Sequence, residues 1–315
     1  MIQLGEDFYR EEIKCGFKVT SKRKRCWAVL LNMLKEFDAF AKKYSLKYYV
    51  GYGTLLGAVR HKGFIPWDDD VDVVMLRDEY MKMSKFAREY FSGRVINGRR
   101  IVFEDAYSVN TVKKTYFSKL RDYETTMAEQ YMIRHGKFAG ISVDIFPIDA
   151  MYDGTDEMLR NTLIRSELWL SWVHGIEGFE ELKKVLQGPS VLGDELLRKI
   201  CSMSSDERMR LFENHALSMW GKSKKVGDYI ENIKYMGRRD SELSSWENTC
   251  LLQFENLMVP APAGWDEILH AEYGDYNEYV MGGSEHENSY YDPDTPFQEY
   301  IDERKCLPHD WNGLL

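Results

Sequence analysis

The chain has 315 residues, 44% hydrophobic and 30% charged, with a formal net charge of −9. Such a length holds one large domain or two modest ones, and the mix is that of a globular protein. The acidic balance argues against general nucleic-acid binding, which needs a basic surface, but leaves room for a nucleotide whose charge a metal ion offsets.

In chain order, residues 21–44 carry the clearest helical stripe: Trp27, Leu30, Leu31, Leu34, Phe37, Ala41 and Tyr44 recur at three- and four-residue spacing. Lys22, Arg23, Lys24 and Arg25 stand at its N-terminus, where the helix dipole disfavours cations. A solvated first turn is the expectation there, with a phosphate or lipid contact as the sharper alternative. Residues 46–50, LKYYV, read as a strand. Gly51 and Gly53 then flank a tight turn, Thr54 takes the N-cap place of a short helix over 55–61, and Gly63 and Pro66 break it. Asp68, Asp69, Asp70 and Asp72 lead into the apolar strand of Val71, Val73, Val74, Met75 and Leu76. Residues 77–90 are helical; 101–107, 115–121 and 140–149 are strands, the last expected to stop at Pro147. Beyond Ala150, helices are expected over 155–175, 179–201 and 205–220, the middle one broken at Gly188 and Pro189. Extended structure follows over 224–236, a strand and Pro-rich turn over 254–264, a short helix over 265–273 and a polar tail from Gly282.

Five scattered cysteines without a CxxC pair point to reduced thiols. No run is long and apolar enough to span a membrane, and the acidic N-terminal stretch does not read as an export signal. The expected location is the cytoplasm, with a peripheral contact at the inner face of the membrane.

The acidic run is the unusual feature. On an extended chain side chains alternate, so Asp68, Asp70 and Asp72 would share one face and Asp69 would be a bystander. Three carboxylates on one face are costly unless a cation is shared, and a hard divalent ion with oxygen ligands, chiefly magnesium, matches the set. The bland reading is a solvated acidic loop. Context weighs against it: a Gly-Thr turn opening a helix offers backbone donors to a phosphate, and Asp144 lies on a later apolar strand. Strand, glycine turn, helix and acid-bearing strand form the layout of nucleotidyltransferase-fold enzymes. The expected fold class is therefore α+β, a mixed sheet flanked by helices with an added mostly helical region. Residues 1–150 would form the catalytic core, 151–245 a helical subdomain or insertion, and 246–315 a segment packing back on the core.

The stretch GTLLGAVRHKGFIPWDDDVDVVM resembles the signature of the LicD family, to which fukutin-related proteins are distant kin. FSKLRDYETTM (117–127), GISVDIFPIDA (140–150) and FENLMVPAPAGWDEILHAEYGDY (254–276) resemble further segments of that family. The resemblance implies transfer of phosphocholine or a related phospho-alcohol from a CDP-activated donor to a hydroxyl of a cell-surface glycan or its lipid-linked precursor. It implies one or two magnesium ions on Asp68, Asp70 and Asp72, with Gly53 and Thr54 at the donor phosphates. Asp144 would be a further metal ligand or the base for the acceptor, or would fix the strand end. Arg60, His61 and Lys62, and Lys119 and Arg121, are candidates for phosphate contacts, against the bland alternative of surface or ion-pair roles. The sequence departs from the family after Tyr-Gly-Asp-Tyr: the family's prolines are absent, and His286 is the candidate for its histidine. A nucleotidylyltransferase would use the same acids, and a non-catalytic glycan- or partner-binding scaffold is the remaining alternative.

Overall fold

The computed structural model describes residues 2–109, 111–112, 114–186, 188–234, 239–281 and 289–302. A strand pair, β1 (Glu12–Lys14) and β2 (Phe17–Val19), leads into helix α1 (Ser21–Lys43). Thr20 caps α1 by accepting from the Arg23 amide, and the stripe from Trp27 to Ala41 is buried. There follow β3 (Tyr49–Val50), α2 (Tyr52–Arg60), β4 (Asp72–Leu76), α3 (Arg77–Tyr90), β5 (Val95–Ile96), β6 (Arg99–Glu104), β7 (Ser118–Ala128), α4 (Gln130–Arg134) and β8 (Ala139–Ala150). Four helices come next: α5 (Asp156–His174), α6 (Phe179–Leu186), α7 (Asp194–Cys201) and α8 (Ser205–Met219). The chain then returns through β9 (Lys225–Gly227), α9 (Tyr229–Lys234) and β10 (Ser241–Glu242). It closes with the hairpin β11 (Thr249–Phe254) and β12 (Leu257–Pro262), then α10 (Trp265–Tyr273), β13 (Tyr290–Asp292) and α11 (Phe297–Asp302). The architecture is α+β: a curled mixed sheet flanked by helices, with a mostly helical stretch beside it.

The spine of the sheet is β8. It pairs parallel with β4, Asp72 opposite Asp144, and antiparallel with β7, Lys119 opposite Asp144. Beyond β7 lies β6, with Glu104 opposite Lys119. Register partners share a face, so Asp72, Asp144, Lys119 and Glu104 form one row across four strands. The other face carries Val73, Val143, Ile145 and Leu120, which are fully buried in one core with the α1 stripe.

Pro147 does not end β8, which runs on to Ala150. The Asp144 amide bonds Val71 O towards β4, and the Met151 amide bonds Lys225 O towards β9. Alternation therefore turns the Pro147 nitrogen to the β7–β9 edge. There β7 pairing has stopped at Ile145 and β9 pairing starts at Asp149. No donor is needed at that gap, so proline fits inside the strand. Within residues 224–236, expected to be extended, Lys225–Gly227 form the strand β9, whereas Tyr229–Lys234 form the helix α9.

The helical stretch has its own small core, in which Leu168, Met209 and Phe212 meet Met151 and Tyr229. It is bolted to the sheet by charges. Arg77 grips Asp149 with two hydrogen bonds of 2.6 and 2.8 Å, and Arg165 of α5 reaches the same carboxylate at 3.7 Å. All three residues are at most 1% exposed. No helix among the described residues is long and apolar enough to cross a membrane.

Candidate active site

The glycine turn and the acids are bound together by backbone bonds. Gly51 donates to Asp72 O at 3.1 Å, and the Asp72 amide donates to the Thr54 hydroxyl at 2.9 Å. The N-cap of α2 is thus Gly51, not Thr54, which lies one turn into the helix with its hydroxyl committed to Asp72. No side chain caps α2, so its first amides, at Tyr52, Gly53 and Thr54, are the ones an anion would meet. Gly53 faces the acids: a Cβ there would stand 2.6 Å from Asp68 Oδ2. Gly51 has no more room, since its Cβ would stand 2.4 Å from Val74 Cγ1.

The acidic run is not a strand until Asp72. A turn closed by the Asp68 amide on Ile65 O precedes it. Strict alternation therefore fails over 68–71, and Asp69 is no bystander. Asp68, Asp69 and Asp70 each offer an oxygen within 4.8 Å of the others. The loop is pinned from α1, where Arg23 Nη1 and Trp27 Nε1 donate to Asp68 O at 2.8 and 3.0 Å. Arg23 is 5% exposed, so the expected solvated turn is wrong at that residue. Lys24 is equally buried and pairs with Glu12 at 2.8 Å. These cations are internal ties rather than a surface patch.

Like charges and burial shape the titration of the cluster. Burial, then Asp70, pushes the Asp68 carboxyl well above its ordinary range. Burial, then Asp70, Asp144 and Asp68, does the same to Asp72, with Lys119 opposing. Asp144 is held by Lys119 Nζ on one oxygen and by Ser142 Oγ, at 2.9 Å, on the other. Five carboxylates thus converge on one end of the sheet, with Lys119 directly on one of them. The set is of hard oxygen donors, and Asp68, Asp69 and Asp70 are the three whose oxygens lie close enough together to share a divalent cation.

The other expected site residues fall elsewhere. Arg60, His61 and Lys62 lie at the far end of α2, about 10 Å along its axis from Gly53 at 1.5 Å per residue. Arg60 Nη1 donates to Tyr276 O at 2.7 Å, its guanidinium covers the Tyr279 ring, and Lys62 Nζ donates to Val59 O. Burial, then the neighbouring Arg60, pulls the His61 pKa down to about 4, so this imidazole is neutral. Arg121 is tied to Glu104 at 2.8 Å and to Gly140 O at 2.7 Å, one step along β7 from Lys119. His286 lies outside the described residues.

Several residues at the site carried no sequence signal. Tyr52 and Tyr116 both donate to the buried Asp228 carboxylate, at 3.0 and 2.9 Å. Burial lifts Asp228 to about 6, against the pull of its backbone and tyrosine donors. Tyr273 of α10 and Tyr291 of β13 come from the C-terminal segments. Burial raises the Tyr291 phenol, and Asp69 and Asp70 add to this.

Residues 45–177 match the family described as LicD/FKTN/FKRP, nucleotidyltransferase domain. The chain is 59% identical over 54 residues to the lipopolysaccharide cholinephosphotransferase LicD of Haemophilus influenzae, a stretch covering 17% of this chain and 20% of that one. It is 34% identical over 86 residues to an uncharacterized protein of Rickettsia prowazekii, covering 27% of this chain and 30% of that one. A third relative, an uncharacterized protein of Rickettsia typhi, is 34% identical over 61 residues, or 19% and 20% of the two chains. The matched stretches thus span under a third of each curated relative. The family match covers the glycine turn, the acidic run and Asp144 together, and it is over residues 45–177 that this chain is similar to the LicD/FKTN/FKRP nucleotidyltransferase domain.

Proposed function

We propose that the protein transfers a phospho-alcohol group, phosphocholine or a close analogue, from a CDP-activated donor to a hydroxyl of a cell-surface glycan or its lipid-linked precursor. The observation that carries the reading is the join between the α2 N-terminus and the acids. Gly53 lies against the Asp68 carboxylate, while the Asp72 backbone is bonded at both ends to the turn. Donors for a phosphate and ligands for a cation therefore share one locus. The relative named as a lipopolysaccharide cholinephosphotransferase supports the choice of group.

The donor set fits magnesium: the clustered acids are oxygen ligands whose mutual repulsion a divalent cation would relieve. Bound there, magnesium would neutralise charge on the donor's pyrophosphate. The amides of the α2 turn orient the phosphate and favour its negative charge. Lys119 holds the Asp144 carboxylate in place beside Asp72, and Asp144 accepts the proton of the attacking hydroxyl. The acceptor oxygen displaces CMP at the phosphorus that bears the alcohol, in line with the leaving oxygen.

The test is CMP release from CDP-choline with magnesium, comparing wild type with Asp70→Asn and Asp72→Asn. Turnover should fall to background in both, with unfolding temperatures near wild type. A near-normal rate in either variant at saturating magnesium overturns the assignment. Product analysis guards the reaction type: nucleoside monophosphate on the acceptor would mean nucleotidylyl transfer instead.

A further inference from the structure

We propose that Asp228 is a positioning residue for the donor-phosphate turn, acting through Tyr52; this rests on the reading of residues 51–54 given above. Tyr52 has a φ of +46°, the left-handed region that a bulky side chain occupies only when its surroundings hold it there. It sits between the two glycines whose closeness to Val74 and Asp68 shapes the turn. A glycine would adopt this φ without strain, so the side chain has to supply something glycine lacks.

The Tyr52 ring supplies an anchor. It meets Phe146 edge-on, with centroids 5.2 Å apart, and Phe146 stacks on Phe117 at 4.2 Å. Phe146 is two residues beyond Asp144 on the same face of β8. The Tyr52 hydroxyl then donates to Asp228 Oδ2 at 3.0 Å, and the Tyr116 hydroxyl donates to the same oxygen at 2.9 Å. The other oxygen, Oδ1, accepts from the Ile230 and Glu231 amides at 2.9 and 3.1 Å. Asp228 is 4% exposed and both of its oxygens are engaged, which fixes the carboxylate in place as an anchor.

The anchor is itself held by the helical stretch. Its neighbour Tyr229 shares a 2.6 Å hydrogen bond with Ser166, donates to Thr162 O and lies under the Arg165 guanidinium, all on α5. The turn that faces the acids is therefore braced from a residue 176 positions away, outside the stretch that matches the family. Without the brace, the strained turn is free to relax and its amides lose their aim at the phosphate.

The experiment uses the full-length protein as wild type, Tyr52→Phe and Asp228→Asn. Two readouts are taken: hydrogen exchange of the amides of residues 52–57, and steady-state CMP release from CDP-choline with magnesium. Both variants should exchange faster over 52–57 than wild type, with protection of β8 and α1 unchanged. Donor KM should rise about tenfold while kcat stays within about twofold, the pattern of lost binding geometry without lost chemistry. Unchanged exchange with an unchanged KM overturns the proposal. So does loss of protection across the whole sheet, which would make Asp228 a stability residue only. Failure of wild type to release CMP would overturn the functional reading, and the exchange readout would still decide whether Asp228 braces the turn.

Discussion

Gly53→Ala separates the fold from the function. The position is helical with an ordinary φ, so alanine is compatible with the backbone. By helix propensity it should stabilise by up to about 1 kcal/mol. For a chain of this size that is a rise in Tm of about 1–2 °C. The new methyl carbon, however, would lie 2.6 Å from Asp68 Oδ2, where ordinary contact begins at 3.4 Å. The Asp68 carboxylate, the free end of a short side chain, must retreat by about 0.8 Å, the difference between those distances. That movement costs little stability, but a misplacement of about 1 Å in a reacting array can cost about 10²-fold in rate. The expected result is a variant as stable as wild type or slightly more so, with CMP release from CDP-choline reduced about a hundredfold. Scanning calorimetry and the release assay on one preparation measure both. Wild-type turnover would refute the claim that the Asp68 position matters, and a rate that fell only in step with Tm would refute the separation.

Asp149→Asn should cost about 3–5 kcal/mol, because it leaves the buried Arg77 and Arg165 without their shared carboxylate. That is about 5–8 °C in Tm. Arg165→Met should cost less, since two guanidiniums now draw on one acid, and the reverse order by calorimetry would contradict this account. Thr54→Val removes the acceptor of the Asp72 amide and should cost about 1–3 kcal/mol in urea titration, with Thr54→Ser restoring most of it. Glu272 is lifted to about 8 by burial, whereas the unfolded chain loses that proton near 4.5. Raising the pH between those values therefore favours the unfolded state. Glu272→Gln should give no gain in Tm at pH 4.5 and a growing gain towards pH 8; a gain independent of pH would rule out this origin.

Local periodicity carried the parts of the fold that depend on neighbours in the chain. The stripe of α1, the brevity of α2 between Gly51 and Gly63, and the apolar β4 behind Asp72 are all legible in spacing and residue type. So is the linkage of a glycine turn to an acidic strand, since both lie within one short supersecondary unit. Tertiary contacts decided the rest. Asp69 joins the cluster because a turn at 65–68, pinned from α1 by Arg23 and Trp27, overrides the two-residue alternation of a strand. Arg23 is buried for the same reason, although its charge run reads as solvated. Pro147 stays inside β8 because two different strands share that edge and leave a gap at its nitrogen. Arg60, His61 and Lys62 are next to the acids in sequence, yet the helix length carries them to its other end. Tyr52 meets Asp228 across 176 positions, a contact no local pattern announces. The sequence by itself determined which groups could do the chemistry: the carboxylates and the glycine turn. Which of them converge, and what braces them, depended on long-range packing and on backbone bonds between segments distant along the chain.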